Sequence, residues 1–342
     1  MNKIKKIYIF LVALLIIVGG FLVYYLLFEA FDYNNSDETT NQVVVNIVRR
    51  LDGVLMDEEN SNLLPIAVMI ENHIEARPPS GLADALVVYE ALSEGRITRF
   101  LAIYDLSQKI EKIGPIRSAR PYYIELASEY GAIYVHSGGS PTALELLEND
   151  DVGVYDLNEY YGYNSGYFWR DQQRYSPHNL YTSSQLLFAA KEYYTIVGGA
   201  DFVSWQFKDD ESTVTNKVND VEINYSASTA YQVTWKYNSS GNNYERYQSG
   251  SRHITDTGQI IEAKNIIIQF TETKILDAVG RRSVDLASGG EAVIFSDGKT
   301  TIGSWQKDVD RTRFFGESGD EIVFNRGITW IEIVDDSVEV IY

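Results

Sequence analysis

Short apolar runs in the first half of this sequence end on residues that can do chemistry. PIAVMI is followed by Glu71, Asn72 and His73, with Arg77 a few positions on, and ALVVY is followed by Glu90. The run beginning EGRITR carries Arg96 and Arg99, GPIRSAR carries Arg117 and Arg120, and HSGGSP carries His136, Ser137, Gly138 and Gly139. Guanidinium groups make bidentate contacts to phosphate and carboxylate. Two of these loops run into helices, whose first N–H groups and positive dipole end suit an anion. The leading expectation is therefore an anionic ligand held by Arg96, Arg99, Arg117 or Arg120. The competing expectation is a structural network in which these arginines pair with Glu71, Glu90 and Glu94.

Catalysis is the second reading. His136 and Ser137 are adjacent, so they cannot be read as base and nucleophile of one triad. Ser137 at a strand-to-helix turn, with His178 or His73 as base, would suit a hydrolase, although the G-x-S-x-G elbow is missing. His136 or His178 as acid–base on a phosphate ester or wall polymer is the related alternative. The imidazoles with Glu71 or Glu90 offer metal-ligand atoms, yet no H-E-x-x-H or similar tight spacing occurs, so no metal and no cofactor is expected. Residues 155–181 form an aromatic, Gly- and Asn-punctuated stretch that reads as a long loop, with Arg170, His178 and Asn179 placed to close over the site. His253, in GSRHITDTG, reads as solvated or locally bonded.

These residues need elements to position them. Strand-like runs at 65–70, 85–89, 97–104 and 132–136 alternate with helix signals. Helices are expected over 121–130 and 141–148, each opened by Pro, and from a capping box at Thr182–Gln185 to about 194. In open α/β sheets ligands bind beyond the carboxyl ends of strands, and one shared edge is the economical arrangement here. Polar residues 208–222 read as a linker. Beyond it, runs at 231–237, 266–270, 292–295 and 329–334 are β-branched and aromatic, separated by Gly-containing turns. The expected fold is an α/β domain with a mixed sheet and flanking helices over 64–207, then a mostly-β domain over 223–342.

The chain has 342 residues, no Cys, four His and a formal charge of −19. No Cys means no disulfide, thiolate zinc site or Cys nucleophile, and the strong acidity excludes nonspecific nucleic-acid binding as a whole-chain property. Against that background, clustered arginines must act locally. The run from Ile7 to Leu27 has no charge and is long enough for a bilayer span. Lys3, Lys5 and Lys6 before it place the N-terminus in the cytoplasm and the remainder outside. Residues 1–28 are thus expected to be a cytoplasmic tip and an uncleaved single-pass anchor in the cell membrane, and the acidic segment 29–63 a tether.

The segments AVMIENHIEARPPSGLADALVVYE, EKIGPIRSAR, YVHSGGSP, SPHNLYTS and, later, YERYQSGSRHITDTGQIIEAKNIIIQ and GSWQKDVDRTRFF resemble the YerB-like family of bacterial lipoproteins, a domain of unknown function with N- and C-terminal parts. The resemblance runs from about residue 64 to 334. It implies an extracytoplasmic envelope protein, and it marks Asn72, His73, Arg77, Glu90, Arg99, Arg117, Arg120, His136, Ser137, His178 and Asn179 as the family's polar positions. Members carry a lipobox Cys, which this chain lacks, so the apolar helix takes over the anchoring. The expected function is binding of an anionic or glycan envelope ligand or of a protein partner. A hydrolase or transferase and a purely structural interaction module are the alternatives.

Overall fold

The computed structural model describes residues 2–35, 47–56, 63–105, 107–149, 152–197, 199, 201–211 and 220–342. It forms two units, 1–45 and 46–342. In the first, helix α1 spans Lys3–Asn35, and its side chains are described at 3–5, 11–12 and 14–25. Among the described residues no helix is long and apolar enough to cross a membrane. The backbone of the expected anchor at 7–27 lies within them, with only part of its side chains described, while about half of the 29–63 tether and of the 208–222 linker lies outside them.

The second unit is organised by one ten-stranded sheet. Its strands are β1 (Ile66–Glu71), β2 (Val87–Leu92), β3 (Thr98–Tyr104), β4 (Ile133–His136) and β5 (Tyr155–Asn158) from the first half. The second half adds β6 (Asn265–Phe270), β7 (Gly290–Ser296), β8 (Lys299–Lys307), β9 (Thr312–Gly316) and β10 (Thr329–Val334). The spatial order is β9-β8-β7-β6-β10-β2-β3-β1-β4-β5. β10 lies between β6 and β2, parallel to both, and so joins the two halves of the sequence. The sheet is mixed, as expected, but it does not end with the first half.

Why these runs make this sheet follows from burial. Every residue of β1, β2 and β10 is buried, which is why their sequences are apolar runs rather than alternations. Successive side chains face opposite layers. Val68 and Ile70 pack with Val221, Ile223, Val233 and Trp235. Those residues belong to a second sheet of Val221–Asn224, Gln232–Asn238, Asn243–Gln248, Ser251–Arg252, Glu262–Ala263 and Glu339–Ile341. Ala67 and Met69 pack instead with Tyr123, Ile124 and Leu126 and with Trp205 and Phe324. The described α-helices of this unit all lie in the first half: α2 (Pro121–Ser128), α3 (Pro141–Leu147) and α4 (Ser184–Tyr193). Pro opens α2 and α3, as the sequence suggests. The cap of α4 is Ser183, one residue later than expected. Its hydroxyl accepts from Leu186 N–H at 3.3 Å, while the Thr182 hydroxyl donates to the Tyr167 carbonyl at 2.8 Å.

Candidate anion-binding cleft

β1 is parallel to β4 and antiparallel to β3, and β3 is antiparallel to β2. The carboxyl ends of β1, β2 and β4 and the start of β3 therefore share one edge, as expected. A cleft of about 560 Å³ opens there, lined by Glu71, His73, Glu94, Arg99, Arg117 and Arg120, with Arg281 arriving from the second half. A neighbouring cleft of about 490 Å³ shares Arg120, Ser140, Pro141 and Arg281 with it.

The guanidinium groups outnumber the carboxylates that hold them. Arg117 pairs with buried Glu71. Arg120 Nε donates to Glu94 at 2.5 Å, and Arg99 Nη2 meets the other oxygen of Glu94 at 3.1 Å. Burial opposes ionisation of Glu94, but the hydrogen bond from Arg120 and the charges of Arg99 and Arg120 hold its pKa down at about 2. Arg99 is 7% exposed, and its Nε and Nη1 have no hydrogen-bond partner among the described residues. Burial, and then the charge of Arg120, lower its pKa. A buried charged donor left without an acceptor is costly. Arg281 is held by Asp277 at 2.5 Å. Nothing local singles it out in the sequence, since only the fold brings its hairpin to this edge.

Other expected residues are placed elsewhere. Arg77 Nη1 donates to the Ala230 carbonyl at 2.7 Å, and burial lowers its pKa to about 10. Arg96 Nη2 donates to the Tyr225 carbonyl at 3.0 Å. Both tie the first half to the second. Asn72 and Glu90 are buried: Asn72 Nδ2 donates to Thr98 Oγ1 at 2.7 Å, and Thr98 donates to Glu90 at 2.6 Å. Glu90 also receives Arg246 Nη2 at 2.6 Å, an ion pair between the two sheets with both side chains fully buried.

His136 is buried, with Nδ1 donating to the Gly138 carbonyl at 2.7 Å and Nε2 at 2.6 Å from Asp156. The Ser137 hydroxyl donates to Glu159 at 2.8 Å, and Arg170 donates to Glu159 at 3.1 Å and to Asn179 at 3.2 Å. Gly138, at φ 61, occupies a left-handed position that suits glycine, and Gly139 reaches the cleft. His178 stacks on His73, and burial lowers its pKa. His253 is buried rather than solvated, with its Nδ1 2.5 Å from Arg246 Nη1. Residues 155–181 hold more structure than a loop: β5, a 3₁₀ segment at Gly162–Tyr167 and the short strand pair Trp169–Arg170 with Leu180–Tyr181.

One mixed sheet with α2 and α3 on one face and α4 and a second sheet on the other, and an arginine-lined cleft at its strand ends, defines the class. The chain belongs to the DUF3048 family: residues 51–196 match its N-terminal domain, described as a protein of unknown function, and residues 221–331 match its C-terminal domain. It is 34% identical over 290 residues to the "Putative lipoprotein YerB" of Bacillus subtilis strain 168, covering 84% of this chain and 86% of that protein. The crystal structure of YerB from Bacillus subtilis superposes with a TM-score of 0.78 at 32% identity, over 86% of this chain and all of the other.

Proposed function

We propose that this is an extracytoplasmic cell-envelope protein, held at the membrane by residues 7–27, whose cleft binds an anionic envelope ligand through phosphate or carboxylate oxygens. The observation that carries this reading is Arg99, a buried guanidinium in the cleft wall with two unpartnered N–H groups. The anchor is supported by the uncharged run after Lys3, Lys5 and Lys6, and by the similarity to a protein named as a lipoprotein in a chain that has no cysteine to lipidate. Binding is favoured over a hydrolase or transferase because both His136 nitrogens and the Ser137 hydroxyl already have partners inside the protein. Glycan or protein partners would meet the same edge, but nothing there selects them as the arginines select an anion.

Calorimetric titration of the full chain in detergent with inorganic pyrophosphate tests the reading. Charge-assisted hydrogen bonds contribute about 1.5–3 kcal/mol each, so Arg99→Gln is expected to weaken binding about tenfold or more. Arg170→Gln, outside the cleft, should leave it unchanged. Equal affinity in wild type and Arg99→Gln would refute the assignment.

A further inference from the structure

Beside the arginine cleft, the loop after β1 and the loop before α4 bring together a second set of groups. Donor atoms of His73, Glu75 and His178 lie within 4.8 Å of one another. His178 Nε2 is 3.5 Å from Glu75 Oε2, and His73 Nδ1 is 4.0 Å from the same oxygen. We infer that His73, Glu75 and His178 form a binding site for a divalent transition metal of the zinc type, distinct from the anion-binding arginines.

Two imidazoles and one carboxylate are a donor set that zinc accepts with a fourth position left open. Magnesium and calcium prefer oxygen donors throughout and would be poorly served. The tautomers favour the assignment. His73 Nδ1 accepts from Glu75 N–H at 3.2 Å, so that nitrogen carries the lone pair. Taking up a metal there exchanges one exposed hydrogen bond for a coordinate bond. His178 Nδ1 is buried, has no hydrogen-bond partner among the described residues and lies 3.6 Å from Glu71. That is just beyond hydrogen-bond range. A small turn of the ring closes the contact, puts the proton on Nδ1 toward Glu71 and leaves Nε2 as the ligand. Metal-binding histidines are commonly oriented by a carboxylate in this way.

The rings stack with centroids 4.8 Å apart and planes 10° from parallel, so they must open before both lone pairs converge on one ion. Glu75 and His73, the two more exposed members, have room to move, with side chains 73% and 30% exposed. His73 also lines the arginine cleft. A metal held here would present its open position close to Arg117, whose partner Glu71 is the carboxylate that orients His178.

The test is calorimetry of the full chain in detergent, produced without a polyhistidine tag, stripped with chelator and titrated with zinc chloride. One site per chain is expected, lost in His73→Ala and in Glu75→Ala and not competed by magnesium. These two variants change partly exposed side chains, so their unfolding temperature without metal should match wild type, and pyrophosphate binding should persist in Glu75→Ala, whose side chain does not line the arginine cleft. His178→Ala should lose the site as well. No zinc binding by wild type, or a single zinc site untouched by both His73→Ala and Glu75→Ala, would overturn the inference without bearing on the arginine cleft.

Discussion

Arg246→Met is expected to lower the unfolding free energy by about 3–5 kcal/mol, the usual cost of removing one partner from a buried ion pair. Arg246 and Glu90 are both fully buried, on different sheets, and their contact is 2.6 Å. Without the guanidinium, Glu90 keeps the Thr98 and Asn72 hydrogen bonds, at 2.6 and 3.3 Å, but has no compensating charge. The arginine also lies over the Trp330 ring at 5.0 Å and the Phe100 ring at 5.5 Å. Methionine fills much of that space, so the loss should come chiefly from the stranded carboxylate. The double variant Glu90→Gln/Arg246→Met should recover most of it, because removing both charges removes the penalty. Equilibrium urea unfolding at neutral pH reads both effects. A loss below about 1 kcal/mol, the range of exposed ion pairs, would show that this pair does not join the sheets as described.

Glu332→Gln is expected to make the protein more stable above pH 8 and to change little near pH 5. Glu332 is fully buried on β10, directly beside Glu90 on β2. Burial, and then the negative charge of Glu90, raise its pKa to about 8. An unfolded glutamate titrates near about 4.3. Between those values the folded chain holds a proton that the unfolded chain releases. This contribution to stability is fully present below the unfolded pKa and disappears as the pH rises through the folded one. One pKa unit corresponds to about 1.4 kcal/mol, so wild type should lose several kcal/mol relative to the variant across this window. Glutamine can mimic the protonated acid. Tyr225 Oη lies 2.7 Å from one oxygen of Glu332, and Trp235 Nε1 donates to the other at 2.8 Å. An amide supplies a donor for the first and an acceptor for the second. Unfolding free energies of wild type and variant that stay parallel from pH 5 to about 9 would contradict a protonated Glu332.

The apolar runs were readable as strands because both faces of the long sheet are covered, which turns PIAVMI and TWIEIV into continuous hydrophobic stretches. Helix starts were readable from Pro121, Pro141 and the capping box at Thr182–Gln185, which falls one residue before the actual cap Ser183, since caps are local signals. The position of TWIEIV was not. Its parallel pairing with β2 joins Thr329 to Val87, and no local pattern records a partner so distant in sequence. The carboxylate inside that run was the available hint, because a charge in an apolar strand needs a partner from another element. The arginines divide in the same way. Arg99, Arg117 and Arg120 meet at the strand ends as the spacing suggests. Arg77 and Arg96 look alike in sequence but are taken up by the carbonyls of Ala230 and Tyr225, more than a hundred residues away. His136 stands at a strand end as a catalytic histidine would, yet Asp156 on neighbouring β5 occupies its outer nitrogen.

The cleft itself is tested most directly by soaking crystals of residues 46–342, the compact unit, in tungstate and mapping its anomalous signal. The account predicts a peak within hydrogen-bond distance of Arg99 Nε and Nη1, absent from crystals of Arg99→Gln. An empty cleft in wild type at saturating tungstate, with both N–H groups satisfied by ordered water, would contradict it.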